Sequence, residues 1–233
     1  MKLLSEPKSN PKIAKNIDFG VMTAPLHLAP YDLSGFQVCP MASKGCAAAC
    51  LNTAGRGHMT PVQEARKRKT IMFFNQRSEF MEQLVKDVAA IEAKARLNNL
   101  KCGIRLNATS DIPWESIPCF HNGINYTNIM RAFPSIQFYD YTKRHNRKNL
   151  PENSHLTYSL AEDNDFRAVQ AFENGMNIAV VFKDVPDYFK LGKHTIRVIN
   201  GDEHDYRPID PKGVIVGLKA KGRAKYDKTG FVR

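Results

Sequence analysis

A chain of 233 residues with 42% hydrophobic and 24% charged residues has the composition of a soluble globular protein long enough to bury a real core. No segment approaches the roughly 20 apolar residues a membrane helix needs. The start, MKLLSEPKSNPKIAK, is broken by Ser, Glu and Pro before a signal peptide's apolar core forms, so a cytosolic protein without a membrane partner is expected. The formal net charge of +11 and the pI near 9.5 suit an anionic ligand or nucleic acid, and suit equally well a basic solvated surface.

Residues 1–16 read as a flexible basic arm rich in Lys, Ser, Asn and Pro, and 17–233 as a single α/β domain. A strand is expected at Phe19–Leu28, followed by a loop with Pro30, Gly35 and Pro40 that carries three cysteines. Residues 61–97 read as one or two helices: Pro61 suits a first turn, and Val62, Ala65, Ile71, Phe74, Phe80, Leu84, Val88 and Ile91 form an apolar stripe at helical spacing. Six short apolar runs follow: Cys102–Leu106, Ile136–Tyr141, His155–Leu160, Asn177–Phe182, Thr195–Ile199 and Gly213–Leu218. Between them lie expected helices at Tyr126–Ala132 and Asp165–Asn174. The second has Asn164 or Asp165 as N-cap and Gly175 at the C′ position. The alternation predicts a mostly parallel sheet, either an open α/β sheet or a partial (β/α) barrel with the cysteine loop after the first strand.

Nearly every run ends in residues able to do chemistry. The run to Leu106 leads into Asn107, Thr109, Ser110 and Asp111. Phe138 and Tyr139 lead into Asp140, Tyr141, Thr142 and Lys143, and Leu160 leads into Glu162 and Asp163. Sites in parallel α/β folds form at the carboxyl ends of strands, so these groups are expected to share one face. Asn107, Ser110, Asp111, Asp140 and Lys143 are the candidate catalytic lining.

The loop itself reads Cys39-Pro-Met-Ala-Ser-Lys-Gly-Cys46-Ala-Ala-Ala-Cys50, a C-x6-C-x3-C spacing. In a reducing compartment, clustered cysteines point to metal or catalysis rather than to disulfides. Thiolates are soft ligands for iron–sulfur clusters and zinc. Structural zinc sites use paired C-x2–4-C knuckles, whereas a single triplet supplies three corners of a [4Fe–4S] cluster. The cluster is therefore the primary reading and zinc the alternative. For a fourth ligand, Cys102 opens a strand and is separated from its far end by roughly 16 Å. Cys119, after Asp111-Ile-Pro-Trp114-Glu115, is the expected cysteine. An Asp, Glu or His58 ligand, or an open iron, is the other possibility.

Three further segments could hold an anion or cofactor. Ala54-Gly55-Arg56-Gly57 could form an anion-binding turn around Arg56, or be a connector. Asp202-Glu203-His204-Asp205-Tyr206-Arg207 concentrates acids and a histidine as a site or as a structural network. Gly213-Val-Ile215-Val-Gly217-Leu-Lys219-Ala-Lys221 is a strand whose glycines permit close approach and whose lysines could reach a phosphate.

The segments CPMASKGCAAACLNTAGRG, RLNATSDIPWE, FYDYTKR and GVIVGLKAKGRA resemble phage-encoded proteins of the gene-product-eighty-eight type, from about residue 19 to the end. The resemblance implies a protein made in the cytoplasm of an infected bacterial host. A weaker likeness is to radical S-adenosylmethionine enzymes, which also place three cysteines after the first strand of a partial barrel and bind the cofactor at an open iron. Gly213-x-Ile215-x-Gly217 looks like their adenine-side glycine motif. Here, however, the cysteine spacing differs from their C-x3-C-x2-C, and Ala220 stands where that motif has Glu. These readings lead to two expectations. One is a cluster-dependent enzyme with radical S-adenosylmethionine-like or redox chemistry. The other is a metal-stabilised nucleic-acid-binding or regulatory protein.

Overall fold

The computed structural model describes residues 1–7 and 10–233. Its helices are α1 (Pro11–Ala14), α2 (Lys44–Ala48), α3 (Thr60–Asn75), α4 (Arg77–Leu97), α5 (Ile129–Ala132) and α6 (Asp165–Glu173). Its strands are β1 (Val21–Pro25), β2 (Lys101–Arg105), β3 (Cys119–His121), β4 (Ile124–Tyr126), β5 (Gln137–Thr142), β6 (Ser154–Ser159), β7 (Ile178–Phe182), β8 (Tyr188–Leu191), β9 (His194–Asn200) and β10 (Ile215–Lys219).

Eight strands form one sheet in the order β1-β2-β5-β6-β7-β10-β9-β8, parallel throughout except for the antiparallel edge strand β8. Chain order is kept from β1 to β7, as expected when each crossover returns over the same face. Residue alternation shows which face that is. Met22, Ala24, Cys102, Ile104 and Phe138 share a buried cluster with Phe80, Leu84, Val88 and Ile91 of α4. Tyr158, Ile178, Val180 and Ile215 share another with Ala168 and Ala171 of α6. Register pairs Thr142 with Tyr158 and Tyr158 with Ile178, so both clusters lie on one side of the sheet. Burying a side chain such as Leu84 there contributes about 1.5–3 kcal/mol.

The expected helical stripe over 61–97 becomes two helices, because Gln76 leaves helical geometry at φ −137° and ψ 60°. Gly175 ends the α6 segment with φ +86°, a conformation that glycine adopts without a Cβ penalty. The expected helix at Tyr126–Ala132 is only partly helical. Tyr126 ends β4, and α5 starts after Asn128, whose side chain accepts the N–H of Arg131 at 3.0 Å. The β3–β4 hairpin was carried by an Asn122-Gly123 signal, with φ of +47° and +80° at those residues.

The opposite face is polar. Thr23, Arg105, Tyr139 and Tyr141 point there, covered by the turn Lys15–Phe19 and by residues 202–210. Asn16, fully buried, donates to Thr23 Oγ1 at 3.0 Å and accepts the N–H groups of Asp205 and Tyr206. The described part of residues 1–16 is therefore packed rather than a loose arm. Leu3 and Leu4 are buried, and their N–H groups donate to Asp87 Oδ2 at 2.6 and 3.0 Å. The expected arm also includes Lys8 and Ser9, which lie outside the described residues. Among the described residues no helix is long and apolar enough to cross a membrane.

Candidate metal centre

The segment after β1 lies over the carboxyl ends of the central strands, and two sets of contacts hold it there. Its first part is stitched to the loop after β2: Asp111 N–H donates to Val38 O at 2.8 Å and Thr109 Oγ1 to Leu28 O at 2.6 Å. Its second part is held by the loop after β6. Ser43 caps α2 by accepting Cys46 N–H at 3.1 Å, while Glu162 accepts from Ser43 Oγ and Gly45 N–H, both at 2.6 Å. Cys46 and Ala49 then pack with Ala161, Ala220, Ala224, Phe231 and Val181, residues from the ends of β6, β7 and β10 and from the final segment. Small side chains on both sides let this loop approach the sheet closely.

Cys39, Cys46 and Cys50 are brought within electrostatic reach of one another. Burial pushes the Cys39 thiol up to about 12, against a hydrogen bond from Tyr31 N–H at 3.4 Å, and charge on Cys50, Cys46 or Asp111 would raise it further. Burial also raises Cys50, with Arg66 and Lys143 acting in the opposite direction. Three thiolates here would repel one another, in the same direction as burial. A bound metal would deprotonate the thiols. The donor set is soft, half-buried and bordered by two cations, which suits a thiolate-rich cluster carrying negative charge. Among the described residues no three His, Cys, Asp or Glu side chains form a ligand group for one metal ion.

Cys119 is not brought to this triplet. It opens β3, sits 5% exposed in the apolar cluster with α4 and α5, and burial alone pushes it up to about 11. Cys102 faces the same cluster at the amino end of β2, where burial, then Glu92, raises it to about 12. His58 is exposed on a turn, with its ring bonded to Gly55 O.

The expected catalytic lining is assembled at the mouth, but its polar atoms are engaged within the fold. Asn107 Oδ1 accepts from Ser110 Oγ (2.8 Å), Ile112 N–H (2.9 Å) and Trp114 Nε1 (3.1 Å), fixing the whole loop around the buried indole. Asp111 accepts from Thr142 Oγ1 at 2.8 Å and Lys143 N–H at 2.9 Å, joining two strand ends. Asp140 accepts Asn107 N–H at 2.7 Å; burial raises its carboxyl to about 7, with Arg105 and that N–H opposing. Lys143 Nζ donates to Ser159 Oγ at 2.9 Å and stands 5.6 Å from the Phe231 ring centroid; it acts on Cys50, as Asp111 does on Cys39.

The expected cofactor residues separate. Arg56 is exposed on a short turn. Gly213 sits before β10, at its amino end, with φ +73°. Gly217 is a packing glycine: a Cβ there would lie 2.6 Å from Val198 Cγ1 and 2.7 Å from Val185 Cγ1. Lys219 is exposed at the carboxyl end, 3.8 Å from Asp184.

The acidic segment near 205 turns out to be a buried ion network. Burial alone would raise Asp205, but Arg105 at 3.1 Å, Lys12 at 3.7 Å and Arg207 hold it down at about 2. Arg207, fully buried, pairs with Asp210 at 3.1 Å.

A family model described as gene product 88 matches residues 2–233. Comparison with curated proteins and with solved structures gives no significant match, so the likeness to radical S-adenosylmethionine enzymes gains no support from them. The matched span takes in the cysteine loop, the strand-end loops and the closing glycine–lysine segment alike, and the chain belongs to the gene product 88 family.

Proposed function

We propose that this phage-family protein is an iron–sulfur protein whose cluster, of the [4Fe–4S] type, is held by Cys39, Cys46 and Cys50 at the carboxyl-end mouth of the sheet. The reading is supported by three soft donors on one loop that lie close enough to influence one another's charge, the loop being fastened by Glu162 and bordered by Arg66 and Lys143. A cluster distributes its thiolates over separate irons, so it does not need the single-point ligand group that zinc requires. Cys119 responds to burial alone and not to the other cysteines, so a cluster held by the triplet would keep one iron free for a small ligand, S-adenosylmethionine being one candidate.

The chain's own residues have definable parts in such a site. Glu162 and Ser43 orient α2, and thereby Cys46; Lys143 and Arg66 offset negative charge near Cys50. Asn107, Ser110, Asp111 and Asp140 form the rigid wall behind Cys39 rather than free acids and bases. When bound, the cluster would supply electron transfer or ligand activation at the open iron. Anaerobic purification should yield a coloured protein with about four irons and four sulfides per chain for a [4Fe–4S] cluster, and an EPR signal after reduction that shifts on adding S-adenosylmethionine or another small ligand. A colourless protein with one zinc would overturn the cluster; a cluster whose EPR no ligand perturbs would overturn the open iron.

A further inference from the structure

A cleft of about 490 Å³ opens where α1, the 202 loop and the end of β10 meet, and lysines dominate its lining. Lys12, Lys15, Lys219, Lys221 and Lys225 line it, with Asp202 the one acid among the described lining residues. We propose that this cleft binds the di- or triphosphate group of a small molecule.

Charge and size carry the inference. Five lysines and one aspartate line the cleft, and two of the lysines also meet acids beyond the lining: Lys219 Nζ is 3.8 Å from Asp184 and Lys12 Nζ 3.7 Å from Asp205. Asp202 Oδ1 is 2.6 Å from Lys221 Nζ and 3.8 Å from Lys12 Nζ, and Oδ2 accepts Lys219 N–H at 3.0 Å. Lys15 reaches only the Asp202 carbonyl, at 3.5 Å. Five lysines against Asp202, Asp205 and Asp184 leave the cleft with an excess of positive charge, and clefts with an excess of one sign of charge concentrate the opposite ion. Lysines act as point-charge partners for phosphate oxygens.

Lys12 forms the recessed part of the cleft, with its side chain 22% exposed. Burial lowers it to about 8, Asp205 only partly restoring it, so an added anion beside it would favour its charged form. The volume falls within the roughly 300–1,000 Å³ of small-molecule sites. Ala220 lines this cleft and also packs with Cys46 and Ala49, so the ligand would sit one side chain from the cysteine loop. The charge argument is independent of the cluster.

The test is calorimetric titration of the full-length protein with inorganic pyrophosphate and tripolyphosphate at low salt. The comparison variants are Lys15→Glu and Lys225→Glu, both exposed. Binding that weakens about tenfold or more on each charge reversal, and falls with added salt, supports the site. Unchanged thermal stability and iron content in the variants separates it from the cluster reading. No binding at low salt overturns the proposal, as does binding that both reversals leave unaltered. Tighter binding of a single-stranded oligonucleotide, increasing with length and competing with pyrophosphate, would replace the small-molecule site with a nucleic-acid track.

Discussion

Glu162 accepts the backbone N–H of Gly45 at 2.6 Å across 117 residues of sequence. The loop after β6 thus closes the amino end of the helix that carries Cys46. Glycine makes room for that contact: a Cβ on residue 45 would lie 2.8 Å from both carboxylate oxygens and closer still to Thr229 Oγ1, so Glu162 and Thr229 would have to shift. The cysteine loop is positioned by the sheet mouth as much as by its own sequence.

Removing that fastening should loosen the metal site without unfolding the domain. Glu162→Ala is expected to cost about 1–2 kcal/mol of stability from lost hydrogen bonds and to accelerate iron loss on exposure to air or chelator. Glu162→Gln, which keeps an acceptor, should lie between Ala and wild type. Iron retention timed by absorbance is the measurement; equal retention in all three proteins would show that the contact does not organise the site.

The buried network near residue 205 sets an acid limit on stability. Asp205 is held down at about 2, below the ordinary aspartate value of about 3.9, so its contribution is complete above that ordinary value and is lost as pH falls through 2. Asp205→Asn leaves Arg105 and Lys12 without their shared partner and should cost about 3–5 kcal/mol near neutral pH. Denaturant unfolding of the variant between pH 2 and 7 should show a flatter acid limb.

Asp140 acts in the opposite direction. Its carboxyl is raised by burial to about 7, well above the ordinary aspartate range. Stability from the protonated form is therefore complete below that ordinary range and is lost as pH rises through about 7. Asp140→Asn keeps an acceptor for Asn107 N–H and should remove that decline, giving a higher melting temperature than wild type at pH 8. A steeper decline in the variant would mean that the ionised carboxylate is what the fold requires.

Gly217 separates packing from cofactor binding. Gly217→Ala places a methyl group against Val198 and Val185 and should destabilise the protein by about 1–3 kcal/mol through overpacking, with pyrophosphate binding and iron content retained. Selective loss of ligand response at unchanged stability would assign this glycine a binding role instead.

Much of this architecture was legible in the chain. Apolar runs at Ile136–Tyr141 and Asn177–Phe182 fall within one residue of β5 and β7, because buried parallel strands are written as continuous apolar stretches. The gathering of Asn107, Asp111 and Lys143 at one mouth followed from strand polarity. What the sequence concealed was which polar atoms remain free. Asn107 and Asp111 carry the residue types of a catalytic wall, yet their partners are backbone N–H groups and hydroxyls supplied by the fold. Cys119 shared the expected face in a linear reading, but the turn around Trp114 and the Asn122-Gly123 hairpin direct it into the α4 cluster. The lysine cleft was only half visible, since Lys12 and Lys15 come from the opposite end of the chain to Lys219, Lys221 and Lys225.

The central claim is tested most directly by iron content, residue by residue, in anaerobically purified protein. Cys39→Ala, Cys46→Ala and Cys50→Ala should each abolish or severely reduce bound iron and sulfide while circular dichroism is unchanged, and Cys119→Ser should retain both. Full iron in any of the three alanine variants, or loss of iron in Cys119→Ser with the fold intact, would contradict the account.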